Sequence, residues 1–365
     1  MQMPCIALVS SLVITGSSLF FGSASAKGAD DESPLAIRAV EDWSGVFGGR
    51  ELDFHFAVSS TAKAEVRGSW SMSAEGSVIA RREAMLTVER DKPRMMVVRF
   101  ELPAAREGII LPIDLTVSVQ AGQEQARLEK RLWVFSDDPF ALKKEWLDGL
   151  KITLFDPVGD TSRLFHQARI PFEEVRNAEQ AAALSEGLFV VGEGVSWTRQ
   201  RALPSLALGL ASQGVAVLAL APGDGSLPLP GGDVEDAPAP QSVALRRADV
   251  IAELDKRLDG AAWPPDGKLQ ASGVQITAER GRVVARFVEG ARGWPWFECR
   301  FAGPRARFLM CGFPVVKRWE AGPTPRYLLA RMLERLAEDA QKDPVDEQAG
   351  RRTGAEPADT SGPDR

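Results

Sequence analysis

The sequence predicts two domains, an all-β sandwich followed by an α/β domain with a parallel sheet. The chain has 365 residues, more than a single hydrophobic core usually serves. Residues 38–137 alternate apolar and polar side chains in short runs, as half-buried strands do. Residues 138–338 instead place continuous apolar strands between helical segments, which is typical of βαβ units.

The first domain is predicted from its period-two pattern. In the clearest run, alternate residues share one apolar face: Leu111, Ile113, Leu115, Val117 and Val119. About seven such runs occur with turn residues between them, which is the number and spacing of an immunoglobulin-like sandwich. The polar segment 27–37 that precedes them is predicted to be a linker.

The second domain begins with a short helix and a strand that ends at Asp156. Residues 245–258 are predicted to form one amphipathic helix. Thr324 is predicted to cap the last helix, with Pro325 at its first position. The polar segment 339–365 lacks large apolar residues and is predicted to be disordered.

The amino-terminal segment predicts export. Residues 1–26 carry no charged side chain, and an apolar run over 6–21 precedes Ala24-Ser25-Ala26, an A-x-A cleavage pattern. Cleavage after Ala26 would leave a secreted or periplasmic protein. The alternative is an uncleaved anchor, but the run is short for a span of roughly 20 residues.

Two cysteines, Cys299 and Cys311, remain in the mature chain, in strand-like runs on either side of a turn signal. A three-residue loop at 304–306 would place them opposite each other and allow a disulfide. A loop one residue shorter would place Met310 opposite Cys299 instead. A disulfide is therefore one of two alternatives.

The ionisable residues exclude several classes of site. A net charge of −6 without a basic cluster argues against nucleic-acid binding. The two histidines, His55 and His166, are predicted to serve at the surface or in packing. The sequence has no Walker loop, no dinucleotide fingerprint, no complete nucleophile elbow and no metal-ligand spacing, so we expect no cofactor, no metal and no catalytic set.

Binding is expected at the carboxyl ends of the parallel strands, where ligands of α/β sheets lie. Acidic residues and one tryptophan follow the strands there: Asp156, Asp160, Glu193, Trp197 and Asp224. Carboxylates accept hydrogen bonds from sugar hydroxyls and an indole packs on a sugar ring. The alternative is that these residues only cap helices and form turns.

The second domain resembles the inactive branch of the class I glutamine amidotransferase-like superfamily found in exported bacterial proteins. The resemblance covers about residues 148–337 and is carried by three strand-end stretches, 154–165, 187–196 and 213–225, together with 293–313 and 323–333. Active members have a cysteine elbow and a later His-Glu pair. This sequence has no cysteine at 220–225 and no histidine after His166, so the resemblance implies a domain without that activity.

The sequence therefore favours a non-catalytic exported binding or scaffold protein whose ligand is a glycan or a protein. One alternative is a glycan hydrolase that uses Asp156 and Glu193, since glycoside hydrolysis needs two carboxylates. The other is a cell-surface assembly component with an apolar patch on the sandwich.

Overall fold

The structure, a computed structural model, describes residues 34–229, 240–260, 262–264, 275–277, 283–286, 294–302 and 307–341. The predicted signal peptide and most of the predicted tail lie outside these ranges. None of the helices in the described ranges is long and apolar enough to cross a membrane.

Residues 35–135 form two sheets packed over one core, consistent with an immunoglobulin-like sandwich. The three-stranded sheet has the order β1-β3-β6, and the five-stranded sheet has the order β2-β8-β7-β4-β5. The eight strands are β1 (Leu35–Ala39), β2 (Gly45–Phe47), β3 (Glu51–Ser60), β4 (Ala64–Ala74), β5 (Ser77–Val88), β6 (Arg94–Glu101), β7 (Leu111–Ala121) and β8 (Glu124–Phe135).

Apolar side chains at alternate positions of the strands fill the sandwich core. Phe56 of β3, Val98 of β6 and Val117 of β7 are fully buried in one cluster drawn from both sheets. β1 begins at Leu35, inside the segment predicted to be a linker. β2 spans only three residues, too short for a period-two pattern, and it pairs in parallel with β8.

The rest of the chain is organised around a seven-stranded sheet of order β10-β9-β11-β12-β18-β17-β14. The first five strands are parallel, and β17 pairs antiparallel with both of its neighbours. The strands are β9 (Ile152–Phe155), β10 (Glu173–Glu174), β11 (Leu188–Val191), β12 (Ala216–Leu220), β14 (Ser242–Arg246), β17 (Trp296–Arg300) and β18 (Arg307–Cys311). A separate sheet contains β13 (Ser226–Pro228), β15 (Gln275–Thr277) and β16 (Val283–Arg286).

In the described ranges, six helices cover both faces of the seven-stranded sheet. One apolar core lies on the face of α1, α2, α5 and α6, and the other on the face of α3 and α4. The central strands are buried on both faces, which explains their unbroken apolar runs. The helices are α1 (Lys144–Gly149), α2 (Asp160–Gln167), α3 (Ala178–Ala182), α4 (Leu203–Ser212), α5 (Asp249–Leu254) and α6 (Pro323–Gln341).

Neither alternative predicted for Cys299 and Cys311 is right, because no disulfide joins them and Cys299 does not lie opposite Met310. Cys299 and Cys311 are free and buried, and the register places Cys299 opposite Phe308 and Cys311 opposite Trp296. Because side chains alternate along a strand, the two thiols belong to the cores on opposite faces of the sheet. The predicted turn at 304–306 lies outside the described residues, but the pairing of Arg300 with Arg307 requires a longer connection than three residues.

Two predictions about the last third of the chain also change. The predicted helix 245–258 is divided, because its start belongs to β14, which pairs with β17, and helix forms only in α5. Pairing with a neighbouring strand thus outweighs the helical pattern. α6 begins at Pro323, so Thr324 lies within it, and its hydroxyl accepts a hydrogen bond from the Asp259 N–H.

Asp259 joins the sandwich to the seven-stranded sheet. Its carboxylate accepts hydrogen bonds from the N–H groups of Ser44 and Gly45, both at 2.7 Å. Its carbonyl accepts a hydrogen bond from the Trp263 indole at 2.8 Å. A Cβ at position 45 would lie 2.9 Å from Asp259 Oδ2, so this close approach needs glycine.

The first turns of α6 complete the junction. The Arg326 guanidinium donates a hydrogen bond to the Asp137 carbonyl at 2.7 Å and lies 4.6 Å from the Phe47 ring centroid. The Tyr327 ring packs against Phe135, with 4.6 Å between centroids. Phe47 and Phe135 belong to the core under α6, so the end of the sandwich and the sheet share one apolar cluster.

We expect Asp259→Ala to lower the free energy of unfolding by about 2 kcal/mol, because the Ser44 and Gly45 N–H groups lose their shared acceptor. Urea unfolding of the full chain measures the effect. Asp249→Ala, at an exposed carboxylate on α5, serves as the matched control. An equal loss for both variants would contradict the role of Asp259.

Candidate functional site

The predicted carboxylates follow three adjacent parallel strands, as the sequence indicates. Asp156 follows β9, Glu193 follows β11, and Asp224 follows β12. The loops after β11 and β12 pair through backbone hydrogen bonds from Gly194 to Ala221 and from Gly223 to Val195, both of 2.9 Å. The strand ends therefore form one continuous surface of paired loops.

Asp156 anchors the start of α2. Its side chain is 3% exposed, and Oδ2 accepts a hydrogen bond from the Ser162 N–H at 2.9 Å. Oδ1 is buried and has no hydrogen-bond partner in the part of the chain that the structure describes. A Cβ on Gly192 would lie 2.6 Å from Oδ1, so the strand end accommodates this carboxylate only because residue 192 is glycine. Asp156 is thus a buried helix-capping group.

Glu193 ties the loop after β18 to the strand ends. Its carboxylate accepts hydrogen bonds from the N–H groups of Val316 at 2.7 Å and Lys317 at 3.2 Å. Its own N–H donates to the Thr161 hydroxyl at 2.9 Å. The side chain is 3% exposed, and burial raises the pKa of Glu193 to about 7. The carboxylate is therefore enclosed by protein groups.

Asp160 is half-buried and Asp224 is exposed. Asp160 is the first residue of α2 and forms an ion pair with Arg163 at 3.0 Å. Asp224 accepts hydrogen bonds from the Ser196 hydroxyl at 2.7 Å and the Thr198 N–H at 3.1 Å. The Ser196 hydrogen bond, followed by that from Thr198, holds the pKa of Asp224 below its usual range. Asp224 thus fixes the turn before α4.

Trp197 has a different role from the one predicted. It is 2% exposed and belongs to the core between α4 and the sheet, so its face is closed to a sugar ring. Its indole Nε1 is buried without an acceptor among the described residues, which typically costs roughly 1–3 kcal/mol. Gly225 has a φ of 108°, and a Cβ there would lie 2.7 Å from Trp197 Cβ. The loop after β12 therefore packs directly on Trp197.

A cleft of about 600 Å³ opens beside Trp197, between the start of α4 and the strand β13. This volume lies within the range of small-molecule sites. Of the described residues that line it, none carries a carboxylate, an imidazole or a thiol. The polar lining consists of Trp197, Thr198, Arg201, Ser226 and Gln275, with Gly225 at the wall. Thr198, Arg201, Ser226 and Gln275 were not predicted from the sequence, because no local motif links the three segments that carry them.

The two histidines lie away from these strand ends. His55 Nδ1 lies 2.6 Å from Oε1 of the buried Glu41, and the backbone N–H of His55 donates to Glu41 Oε2, so His55 is paired rather than simply solvated. His166 packs on Phe172, with 4.8 Å between ring centroids. It also lines a cleft of about 370 Å³ with Lys144 and Arg169. His166 lies in the last turn of α2, where basic side chains complement the helix dipole.

Two further features bear on the expectations from sequence. Within the described ranges, no three His, Cys, Asp or Glu side chains are grouped closely enough to hold a metal ion.

The sandwich exposes apolar side chains on its edge strands β5 and β6, the feature that the assembly alternative requires: Val78, Ile79, Met85, Met95 and Val97.

The chain matches no protein-family profile and no curated protein sequence. Similar solved structures include the sporulation control protein Spo0M of Bacillus subtilis, with 10% identity and a TM-score of 0.25, covering 32% of this chain and 55% of that one. The PapD-like domain of human CEP192 has 15% identity and a TM-score of 0.20, covering 28% of this chain and 85% of that one. A cycloisomaltooligosaccharide glucanotransferase of Paenibacillus sp. has 10% identity and a TM-score of 0.23, covering 50% of this chain and 27% of that one.

This chain therefore spans about half of the length of the sporulation control protein, at 55%, and about a quarter of the glucanotransferase, at 27%. Similarity at this level supports no function and no ligand for the chain.

We expect Glu193→Gln to flatten the dependence of stability on pH. The pKa of about 7 exceeds the unfolded value near 4.5, so the stabilisation is complete below pH 4.5 and is lost as pH rises through 7. The gap corresponds to roughly 3 kcal/mol. The variant should be less stable at low pH, because glutamine cannot accept both N–H groups as well, but it should lose little more by pH 8.

Thermal midpoints between pH 4.5 and pH 8 measure this effect. Glu179→Gln, at an exposed residue of α3, is the matched control and should retain the wild-type slope. A wild-type slope in the Glu193 variant would show that another group titrates.

Proposed function

We propose that this chain is a non-catalytic exported binding protein, and that its α/β domain holds a glycan in the cleft beside Trp197. The observation that carries the proposal is the difference between the buried carboxylates at the strand ends and the open cleft beside them. Asp156 and Glu193 are both buried, and their carboxyl groups accept backbone hydrogen bonds that hold α2 and the loop after β18. The open cleft, by contrast, is lined by hydrogen-bond donors and hydroxyl groups.

The burial of the two carboxyl groups favours binding over hydrolysis. A glycosidase needs two carboxyl groups facing its substrate, whereas Asp156 and Glu193 are each 3% exposed. Neither is among the described residues that line the cleft. Thr198 and Ser226 supply hydroxyls there, but no described lining residue is a base that would activate them.

We also propose that the second domain is glutamine amidotransferase-like. Five parallel strands with helices on both faces support this assignment. In place of a nucleophile elbow, the loop after β12 carries Asp224 and Gly225, and both described thiols are buried within strands. A binding role fits a member of that group that lacks the cysteine.

Binding is tested by isothermal titration of the full chain with a panel of neutral and acidic hexasaccharides, together with an assay for released reducing ends. We expect saturable binding without turnover. Ser226→Trp should abolish binding, because it fills the cleft, whereas Ser205→Trp on the exposed face of α4 should not. Turnover that Ser226→Trp abolishes would replace the proposal with a hydrolase, and absence of binding to every hexasaccharide would overturn it.

Export is tested on the full chain expressed in a Gram-negative bacterium. We expect a periplasmic protein whose first residue is Lys27, because signal peptidases cleave after A-x-A. Intact-mass analysis of the fractionated cells reads the amino terminus. Ala24→Leu with Ala26→Leu should block processing. A full-length wild-type chain in the membrane fraction would establish an uncleaved anchor instead.

A further inference from the structure

The five-stranded sheet of the sandwich has one covered edge and one open edge. β2, at the first edge, is bound by Asp259 and packs against α6. β5 lies at the other edge, and its strand partner in the described ranges is β4. β5 is 12 residues long, and Val88 is its one fully buried residue. A long edge strand presents a row of backbone N–H and C=O groups with which another strand can pair.

β5 also presents large apolar side chains to solvent. Val78 is 65% exposed and Met85 is 67% exposed, and Ile79 is exposed as well. Val78 and Ile79 lie at a bulge where β5 leaves its regular pairing with β4, and Met85 lies toward the opposite end of the strand. Both ends of β5 therefore carry apolar surface that a second strand would remove from water.

The charged side chains in the middle of β5 are complementary to each other across a twofold axis. Arg81 and Glu83 are exposed, and both project from the outer face of the sheet, where they lie opposite serines of β4. In an antiparallel pair of β5 strands with the axis at Arg82, each Arg81 lies opposite Glu83 of the second copy. One register thus forms two pairs of opposite charge.

The same register brings the apolar ends together, because Met85 lies opposite Ile79 of the second copy. Moving the axis by one residue places either Arg81 or Glu83 opposite itself, and like charges directly opposed are destabilising. The like-charge pair in the favoured register is Arg82 with its own copy. Arg82 pairs with the buried Trp70 of β4, so this contact lies on the other face of the sheet.

The Glu83 carboxylate has room for a second arginine. Its Oε2 accepts hydrogen bonds from Arg67 of β4, whereas its Oε1 lies 3.4 Å from the guanidinium of Arg81 in the same strand. A distance of this length is beyond that of a well-formed hydrogen bond. Arg81 of a second copy can therefore approach Oε1 from the open edge without displacing Arg67.

We propose that β5 pairs with β5 of a second copy of this chain, antiparallel about a twofold axis at Arg82, so that two five-stranded sheets become one continuous sheet. The inference goes beyond the proposed function, because it concerns the sandwich and not the cleft of the α/β domain. Backbone hydrogen bonds supply the affinity of such an edge, and the side chains select the register. A contact of two single strands is small, so the dimer dissociates on dilution.

Sedimentation velocity of the full chain over a hundredfold range of concentration measures the dimer, and we expect a monomer–dimer equilibrium. Arg81→Glu and Glu83→Arg should each weaken the dimer at least tenfold at low salt, because each creates two like-charge pairs. The chain with both substitutions should return to within about threefold of the wild-type affinity, since opposite charges again face each other. Arg82→Thr should tighten the dimer.

The matched control is a second Arg-x-Glu pattern on the same face of the same sheet. Arg127 and Glu129 form an ion pair of 2.5 Å on β8, which lies between β2 and β7 rather than at an edge. Arg127→Glu makes the same change of charge as Arg81→Glu and should leave the dimer unchanged. Circular dichroism verifies that each variant is folded.

A disulfide cross-link tests the register independently. Residues directly opposed across antiparallel strands have Cα atoms about 4.5–5.5 Å apart, which a disulfide spans. Mild oxidation of Arg82→Cys should yield a covalent dimer. Thr87→Cys, at another exposed position of β5, lies far from its own copy and should not cross-link faster than the wild-type chain.

A chain that stays monomeric at every concentration overturns the proposal. It is overturned equally by a dimer that Arg81→Glu leaves intact, by a double substitution that fails to restore a weakened dimer, and by cross-linking of Thr87→Cys as fast as that of Arg82→Cys. A chain that dimerises only after residues 339–365 are removed would place the carboxyl-terminal segment on the edge of β5, which also overturns pairing with a second copy.

Discussion

The hydrogen bonds of Asp259 fix how the two halves of the molecule meet. One residue holds the start of β2 through its carboxylate, Thr324 of α6 through its N–H, and Trp263 through its carbonyl. Burial raises the pKa of this carboxyl, so its two backbone donors must compensate for the desolvation. The apolar cluster that runs from Phe47 to α6 depends on this placement, because β2 and α6 are positioned against each other there.

Backbone donors also compensate for the burial of a carboxyl group at the strand ends. A buried carboxylate is stable only where N–H groups meet it, and a carboxylate so satisfied is poorly placed to act on a substrate. Glu193 is of this kind, since two backbone N–H groups meet its carboxylate, whereas Asp156 accepts a hydrogen bond at Oδ2 alone. The adjacent cleft differs from these sites, because hydrogen-bond donors and the positively charged Arg201 line it.

The sequence predicted the parts of the fold that depend on local patterns. Period-two alternation located the sandwich strands, and unbroken apolar runs located β9, β11 and β12, because these patterns report burial directly. The register of β17 against β18 was not predictable, since it depends on packing against β12 and β14 rather than on the turn. The pairing of β14 with β17 divided the helix predicted over 245–258.

For the site, the sequence located the strand-end edge but assigned the wrong role to Trp197. The predicted residues were the ones with a recognisable local pattern, acids and glycines after strands. Arg201, Ser226 and Gln275 meet only after the chain has crossed the sheet, so no spacing in the sequence relates them. Burial of Trp197 likewise depends on the loop that contains Gly225, which follows the next strand.

The positions of Cys299 and Cys311 on opposite faces of the sheet have a consequence for folding kinetics. Disulfide formation and reshuffling take seconds to hours and depend on an oxidant. Cys299 and Cys311 are each buried as a free thiol in a separate core, so folding of these two strands requires no disulfide between them. Burial raises the pKa of Cys299 to about 12, so the thiolate that would start an exchange is scarce once the sheet has formed. Within the described residues, the fold therefore keeps both thiols from exchange by burying them in separate cores.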